Sequence, residues 1–190
     1  MVGIVAARLP AVGLYVAFLR GMNLGKRRIK NDELRAEFEQ FGFDGVASFR
    51  ASGNVVFEAA RKSEAALTKT IEAGLAESLC YDVPVFLRSG AEVAAIAARE
   101  PFDAKRVAAS KGKLQVSMLL KKPTAAAKEK VLAMASDEDL LAIEGRELYW
   151  LPSGGLLESE LDLKAIEAAL GRDTRRTMGT IEQIAAKHCG

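Results

Sequence analysis

Two short runs in this chain carry residue types that can hold a negatively charged group. Arg20-Gly21-Met22-Asn23 closes an apolar stretch and opens a loop bearing Lys26, Arg27, Arg28 and Lys30, with no acid between Arg20 and Lys30. Further along, Arg50 leads into Ser52-Gly53-Asn54. Backbone N–H groups of a glycine loop that runs into a helix N-terminus favour an anion. Arginine adds a planar fork of donors matched to phosphate or carboxylate. The candidate binding set is therefore Arg20, Gly21, Asn23, Lys26, Arg27, Arg50, Ser52 and Asn54, for a phosphate, a nucleotide or a nucleic acid. The same residues admit a structural reading. Gly21, Gly25 and Gly53 serve as turn formers with positive φ, Asn23 and Asn54 bond nearby backbone, and the cations form a solvated face. A protein interface is a third reading.

Other reactive residues offer less. His188 is the only histidine and lies near the chain end, where a tail is expected, so catalytic triads and histidine metal sites are set aside. Cys80 and Cys189 have no CxxC partner, which argues against zinc and a disulfide framework; Cys80 is expected to be a small buried group. No metal and no cofactor is called for. Asp137, Glu138 and Asp139 are contiguous, as in a solvated turn. Trp150 is expected in a core rather than as a stacking platform. Glu158 and Glu160 follow Gly154-Gly155 in a loop, with nothing to place them in a pocket. The GxxxxGK[ST] phosphate loop is absent. No nucleophile–base pair emerges, so no catalytic residue is named, and whether the chain is an enzyme stays open.

Bulk properties narrow the class. A chain of 190 residues buries roughly 70% of its unfolded surface and needs no disulfide or metal to hold a core. The net charge of +2 excludes polyanion binding by bulk electrostatics and leaves only local clusters. No run approaches the ~18 apolar residues of a membrane span, so no membrane partner is expected. Two unpaired cysteines suit a reducing cytoplasm. Residues 1–13 read as an N-terminal extension rather than an export signal.

The elements that must position these residues follow from periodicity. Leu14 to Leu19, between Gly13 and Gly21, reads as a buried strand. Asn31 or Asp32 is expected to cap a helix with Leu34, Phe38 and Phe41 on one face, stopped by Gly42. Val46–Arg50 and Val55–Glu58 flank a tight turn, a hairpin signal. Ser63–Leu79 is a helix and Val83–Leu87 a strand. The order βαββαβ over residues 14–88 predicts a ferredoxin-like α+β domain. Ala91–Arg99 reads as a linking helix and Pro101–Lys113 as a polar connector. Strands at Leu114–Leu120, Leu140–Ile143, Glu147–Leu151 and Asp173–Met178 then alternate with helices from Pro123 and Glu160, and Thr180–Lys187 closes the chain as a helix. Residues 89–190 are thus expected to form a second α+β domain packed on the first, repeating its element order with slight residue identity.

In such a sheet the first and third strands are antiparallel neighbours, so the end of one lies beside the start of the other. The Arg20–Asn23 loop and the Ser52–Asn54 turn are therefore expected to meet.

The run Tyr-Val-Ala-Phe-Leu-Arg-Gly-Met-Asn-Leu-Gly from Tyr15 to Gly25 is specific. So is Ser52-Gly53-Asn54-Val55-Val56-Phe57, preceded by Gly42-Phe43 and Val46. Leu148-Tyr149-Trp150-Leu151-Pro152 and Thr174-Arg175-Arg176 follow. Together these resemble the DUF1697 family of domains of unknown function, widespread in bacteria, over residues 14 to about 187. The resemblance implies an α+β fold with a ferredoxin-like half and implies no activity. This chain has Gly179 where the family pattern has Asn, so no role is carried to that position. Three functions remain: a binder of an anionic small molecule or nucleic acid at the Arg20–Asn23/Ser52–Asn54 edge, an interaction or structural protein, and an enzyme acting on a small acidic substrate. RNA binding of the ferredoxin-like type needs aromatics on an open sheet face, and the run Arg50–Phe57 lacks the central pair.

If Lys26 and Arg27 serve binding, replacing both by Gln should leave the melting temperature unchanged or slightly raised, since surface charges contribute ~0–1 kcal/mol each. The salt dependence of phosphate or short-RNA binding should flatten. A lowered melting temperature with unchanged binding would assign the pair to structure.

Overall fold

The computed structural model describes residues 12–22, 29–50 and 53–190. Its first strand, β1 (Val12–Leu19), begins earlier than the expected Leu14 and is covered on both faces: Val16 and Phe18 enter one core, Ala17 and Leu19 another. A strand buried on both sides needs apolar residues at successive positions rather than alternate ones, which is why this segment reads as a continuous run. There follow α1 (Asn31–Gln40), β2 (Asp44–Ser48), β3 (Asn54–Ala60), α2 (Glu64–Leu79) and β4 (Val85–Ser89). β1 pairs antiparallel with β3 and with β4, giving the order β2-β3-β1-β4, the ferredoxin-like arrangement.

After α3 (Gly90–Ala97) and α4 (Ala104–Ala109), the order recurs as β5 (Gln115–Leu119), α5 (Ala125–Leu132), β6 (Asp139–Glu144), β7 (Glu147–Pro152), α6 (Leu163–Leu170) and β8 (Asp173–Thr177), with sheet order β6-β7-β5-β8. The closing helix α7 (Met178–His188) stands to β8 as α3 stands to β4. The repeat is therefore βαββαβα in each half, one helix longer than expected, and α4 is an insertion within the connector. Asp103 starts α4 by accepting the N–H groups of Lys105 and Arg106.

Three cores define the layers. One sheet rests on α1 and α2 through Leu34, Phe38, Leu67, Ile71 and Leu75. The other rests on α5 and α6 through Val131 and Ile166. The remaining faces of both sheets share a central core with α3 and α7, through Val16, Phe18, Val116, Met118, Val93 and Ile181. Both faces of each sheet are therefore covered, including the face on which an RNA-binding relative of this fold would stack bases.

One local expectation is corrected. The cap of α1 is Lys30, not Asn31 or Asp32; the Lys30 N–H is satisfied by the Glu33 carboxylate at 2.8 Å, and Asp32 instead pairs with Arg35. Phe41, on the same helix face, fits only because α2 presents Gly74 there: a Cβ at Gly74 would lie 2.2 Å from the Phe41 ring. A mid-helix glycine costs roughly 0.5–1 kcal/mol relative to alanine, and here it allows close helix packing.

Gly53 occupies the hairpin turn with φ +69, and a Cβ there would come within 3.0 Å of both Leu19 Cβ and Met22 Cγ. Gly53→Val combines a left-handed backbone, which β-branched residues avoid, with a steric conflict at the motif junction. We expect a loss of about 2–4 kcal/mol, read as a lowered urea midpoint at constant slope. An unchanged midpoint would mean that this turn is relaxed.

Candidate functional site

The two motifs meet where expected. Phe18 of β1 is paired with Asn54 of β3, and the Leu19 N–H donates to the Gly53 carbonyl at 2.8 Å. Across the hairpin the Phe49 N–H donates to the Asn54 carbonyl, and Asn54 Nδ2 donates to the Phe49 carbonyl, each at 2.9 Å. Asn54 is fully buried.

The third motif reaches the same point from the other half. Arg176, in β8, donates from Nε to Asn54 Oδ1 at 2.5 Å, from Nη2 to the Leu19 carbonyl at 2.9 Å and the Gly53 carbonyl at 3.4 Å, and from Nη1 to its neighbour's carbonyl, that of Arg175, at 2.7 Å. Arg88, in β4, does the same in reverse. It donates from Nε to Glu147 Oε1 at 2.8 Å, from Nη2 to the carbonyls of Leu119 and Arg146 at 2.9 and 3.2 Å, and from Nη1 to the Leu87 carbonyl at 2.8 Å. Leu19 corresponds to Leu119, Gly53 to Arg146 and Asn54 to Glu147, and the Leu119 N–H meets the Arg146 carbonyl at 2.8 Å just as Leu19 meets Gly53. Each half thus clasps the other's first hairpin with an arginine, Arg88 fully buried and Arg176 partly so. Burial pushes the Arg176 guanidinium down to about 10, which leaves it charged at neutral pH. Burial lowers Arg88 as well, opposed by the Glu147 carboxylate.

Beside this junction a cleft of about 590 Å³ opens between the first hairpin, the connector and the start of α7. Arg50, Arg99 and Lys113 contribute cations, Pro101, Val107 and Met178 an apolar wall, and Glu100 and Glu182 carboxylates. Arg99 is also paired with Glu144 at 2.9 Å. Arg50 holds a left-handed backbone, φ +56, unusual for a non-glycine residue. Its guanidinium bonds Gln183 Oε1 at 2.8 Å and lies 5.7 Å from the centre of the Phe49 ring. Thr177 caps α7 by accepting the Thr180 N–H, and Gly179 adds no side chain at the cleft wall.

The expected binding residues therefore separate. Arg50 lines the cleft. Asn54 faces inward, with both ends of its amide engaged. Gly21 takes φ +77 as a turn former. Arg20 turns to the second half and pairs with Glu167 at 2.8 Å, both partly exposed. Asn23, Lys26, Arg27 and Ser52 lie outside the described residues. Arg176, Arg88, Lys113 and the start of α7 did not emerge from sequence reasoning. The available signals were the Thr174-Arg175-Arg176 run, which carried the family resemblance without a role, and the oddity of an Arg-Arg pair inside a strand of a chain whose other strand positions are largely apolar.

Other expectations change with burial. Cys80 is exposed and ends α2 with φ +59, rather than being buried. His188 belongs to the last turn of α7 and is half-buried. Asp139 is buried, accepting from Trp150 Nε1 at 2.6 Å and from Ser159 at 2.9 Å, so the acidic triplet is not a fully solvated turn. Trp150 is core, as expected, with the Arg175 guanidinium 4.9 Å from its ring centre. Glu158 and Glu160, with Glu138, line a second cleft of about 470 Å³. Among the described residues no group of three His, Cys, Asp or Glu is placed to hold a metal, and no helix is long and apolar enough to cross a membrane.

A ferredoxin-like order used twice, with arginines exchanged between the copies, defines a tandem α+β protein. The chain belongs to the DUF1697 family, described as a protein of unknown function, which it matches over residues 13–149. No curated protein matches it significantly. Among solved structures it is similar to the conserved bacterial protein SP0830 from Streptococcus pneumoniae, with a TM-score of 0.67 and 20% identity over 93% of this chain and 98% of the other. At that identity the likeness speaks to the fold.

The bond from Arg20 holds the Glu167 carboxyl below its ordinary range. A carboxylate lowered in the folded state adds stability above its unfolded pKa and loses it as pH falls through the folded one. Arg20→Gln should cost under about 1 kcal/mol at neutral pH, as exposed pairs do. The urea midpoints of variant and wild type should converge in acid; a constant gap would assign Arg20 a role other than this pair.

Proposed function

We propose that this chain binds a small anionic ligand with an apolar or aromatic body, a mononucleotide being the type, in the cleft between the first hairpin and the start of α7. The observation that carries the reading is the lining itself: Arg50 and Lys113 share one opening with the first turn of α7, above a wall of Pro101, Val107 and Met178. Arginine gives two parallel donors to a phosphate or carboxylate. A helix N-terminus contributes a partial positive charge there. The apolar wall suits a body that leaves water, as in most small-molecule sites. Glu100 and Glu182 on the same rim disfavour a polyanion and favour a ligand of low charge. A nucleic acid is the less supported form, because both faces of each sheet are packed. The free thiols Cys80 and Cys189 suit a cytoplasmic setting.

The reading is one of binding. Thr177, the hydroxyl on the cleft wall, is engaged with Thr180 in starting α7, so it is not held as a nucleophile by the Glu100 or Glu182 carboxylate of the lining.

AMP and orthophosphate titrated into labelled protein should move the amide signals of Arg50, Lys113, Met178 and Gly179. Arg50→Gln should weaken AMP binding by about tenfold, the effect of losing one charge-assisted contact of roughly 1.4 kcal/mol, with little change in melting temperature. Absence of shifts at millimolar AMP, or shifts confined to another surface, would overturn the proposal.

A further inference from the structure

We infer that Arg176, which lines no part of the cleft, is its positioning residue: from β8 it fixes the hairpin that carries Arg50 against the first turn of α7. This rests on the binding reading above. Arg176 directly precedes Thr177, Met178 and Gly179, which form one wall. Its side chain crosses to the hairpin that carries Arg50 of the opposite wall and meets Asn54 Oδ1, the Gly53 carbonyl and the Leu19 carbonyl. Asn54 passes the constraint on, since its Nδ2 holds the carbonyl of Phe49, the residue before Arg50. A single guanidinium thus sets the spacing between the two walls, and it does so through the residues that make up the first-hairpin motif.

The second half provides a matched comparison within the molecule. Arg88 has the same kind of bond set on the second hairpin. There, however, the opening beside the hairpin is about 200 Å³, and Arg146 is held by Glu64 at 2.6 Å and Glu92 at 2.8 Å. Arg146, which stands where Gly53 stands in the first hairpin, is taken up by two carboxylates beside α3, whereas beside α7 Arg50 meets the neutral amide of Gln183 and the cleft is open. Arg88 therefore has an equivalent structural task without the larger cleft to organise.

The test compares Arg176→Met with Arg88→Met, using AMP as the probe well below each variant's melting temperature. Both variants should be less stable than wild type. Arg176→Met should weaken AMP about tenfold or more, whereas Arg88→Met should leave the affinity within about twofold of wild type. Arg176→Lys should resemble Met, because one ammonium cannot reach acceptors spread around a planar fork. Equal affinity losses in Arg176→Met and Arg88→Met, or unchanged affinity in Arg176→Met, would overturn the inference. If Arg176→Met fails to fold, Asn54→Ser removes the Nε acceptor while keeping the arginine, and the same outcomes apply. If wild-type protein binds neither AMP nor phosphate, the binding reading fails, and amide exchange still decides the positioning. Arg176→Met must then speed exchange at Phe49 and shift the amide signals of Arg50, Met178 and Gly179, with Arg88→Met affecting only the second hairpin; uniform changes over the whole chain would refute it.

Discussion

A guanidinium withdrawn from water is tolerable only if its N–H groups find acceptors, and in this fold most of the acceptors belong to the opposite half. Arg88 leaves the first half to bond the β5 end and the second hairpin; Arg176 leaves the second half to bond the β1 end and the first hairpin. Sliding one half over the other would strip both guanidinium groups of acceptors at once, and for the buried Arg88–Glu147 pair losing one partner typically costs about 3–5 kcal/mol. The apolar core shared by the two sheets, α3 and α7 supplies the larger area of contact. Hydrophobic contact is non-directional, so it is the arginines that fix the register in which the halves meet.

The two hairpins build one arrangement from different residues. At the second, Glu147 gives Arg88 a carboxylate, and Arg146 is drawn to Glu64 and Glu92. At the first, Asn54 supplies an amide oxygen where Glu147 supplies a carboxylate. Arg50 takes the left-handed backbone that Gly145 takes in the second hairpin, φ +56 against φ +59. A residue held off its preferred conformation must be held by its surroundings. Here those are Gln183 of α7, the Phe49 ring and the clasped turn. The larger cleft lies beside this strained hairpin, and the smaller one beside the relaxed hairpin.

The element order, the neighbouring strands and the meeting of the two glycine motifs could be read from the sequence alone. Apolar residues recurring along a helix, unbroken apolar runs in doubly covered strands and glycines at obligatory turns are local signals. The ferredoxin-like order then leaves β1 beside β3, so Leu19 and Gly53 had to be neighbours. The third helix of each repeat was legible only as a linker and a tail. Whether it packs centrally depends on the other half.

The role of each charged residue was decided by the tertiary structure. Arg20 and Arg50 look alike in the sequence, yet one pairs with Glu167 and the other lines the cleft. Asn54, read as a ligand candidate, is a buried bridge between its own hairpin and Arg176, 122 residues away. Cys80 and Asp139 exchanged the expected exposures for the same reason. A side chain's periodicity is set by its neighbours in the chain, whereas a charge's partner is set by whatever the fold brings within a few ångströms. Across separations such as the 157 residues between Leu19 and Arg176, no local pattern records that choice.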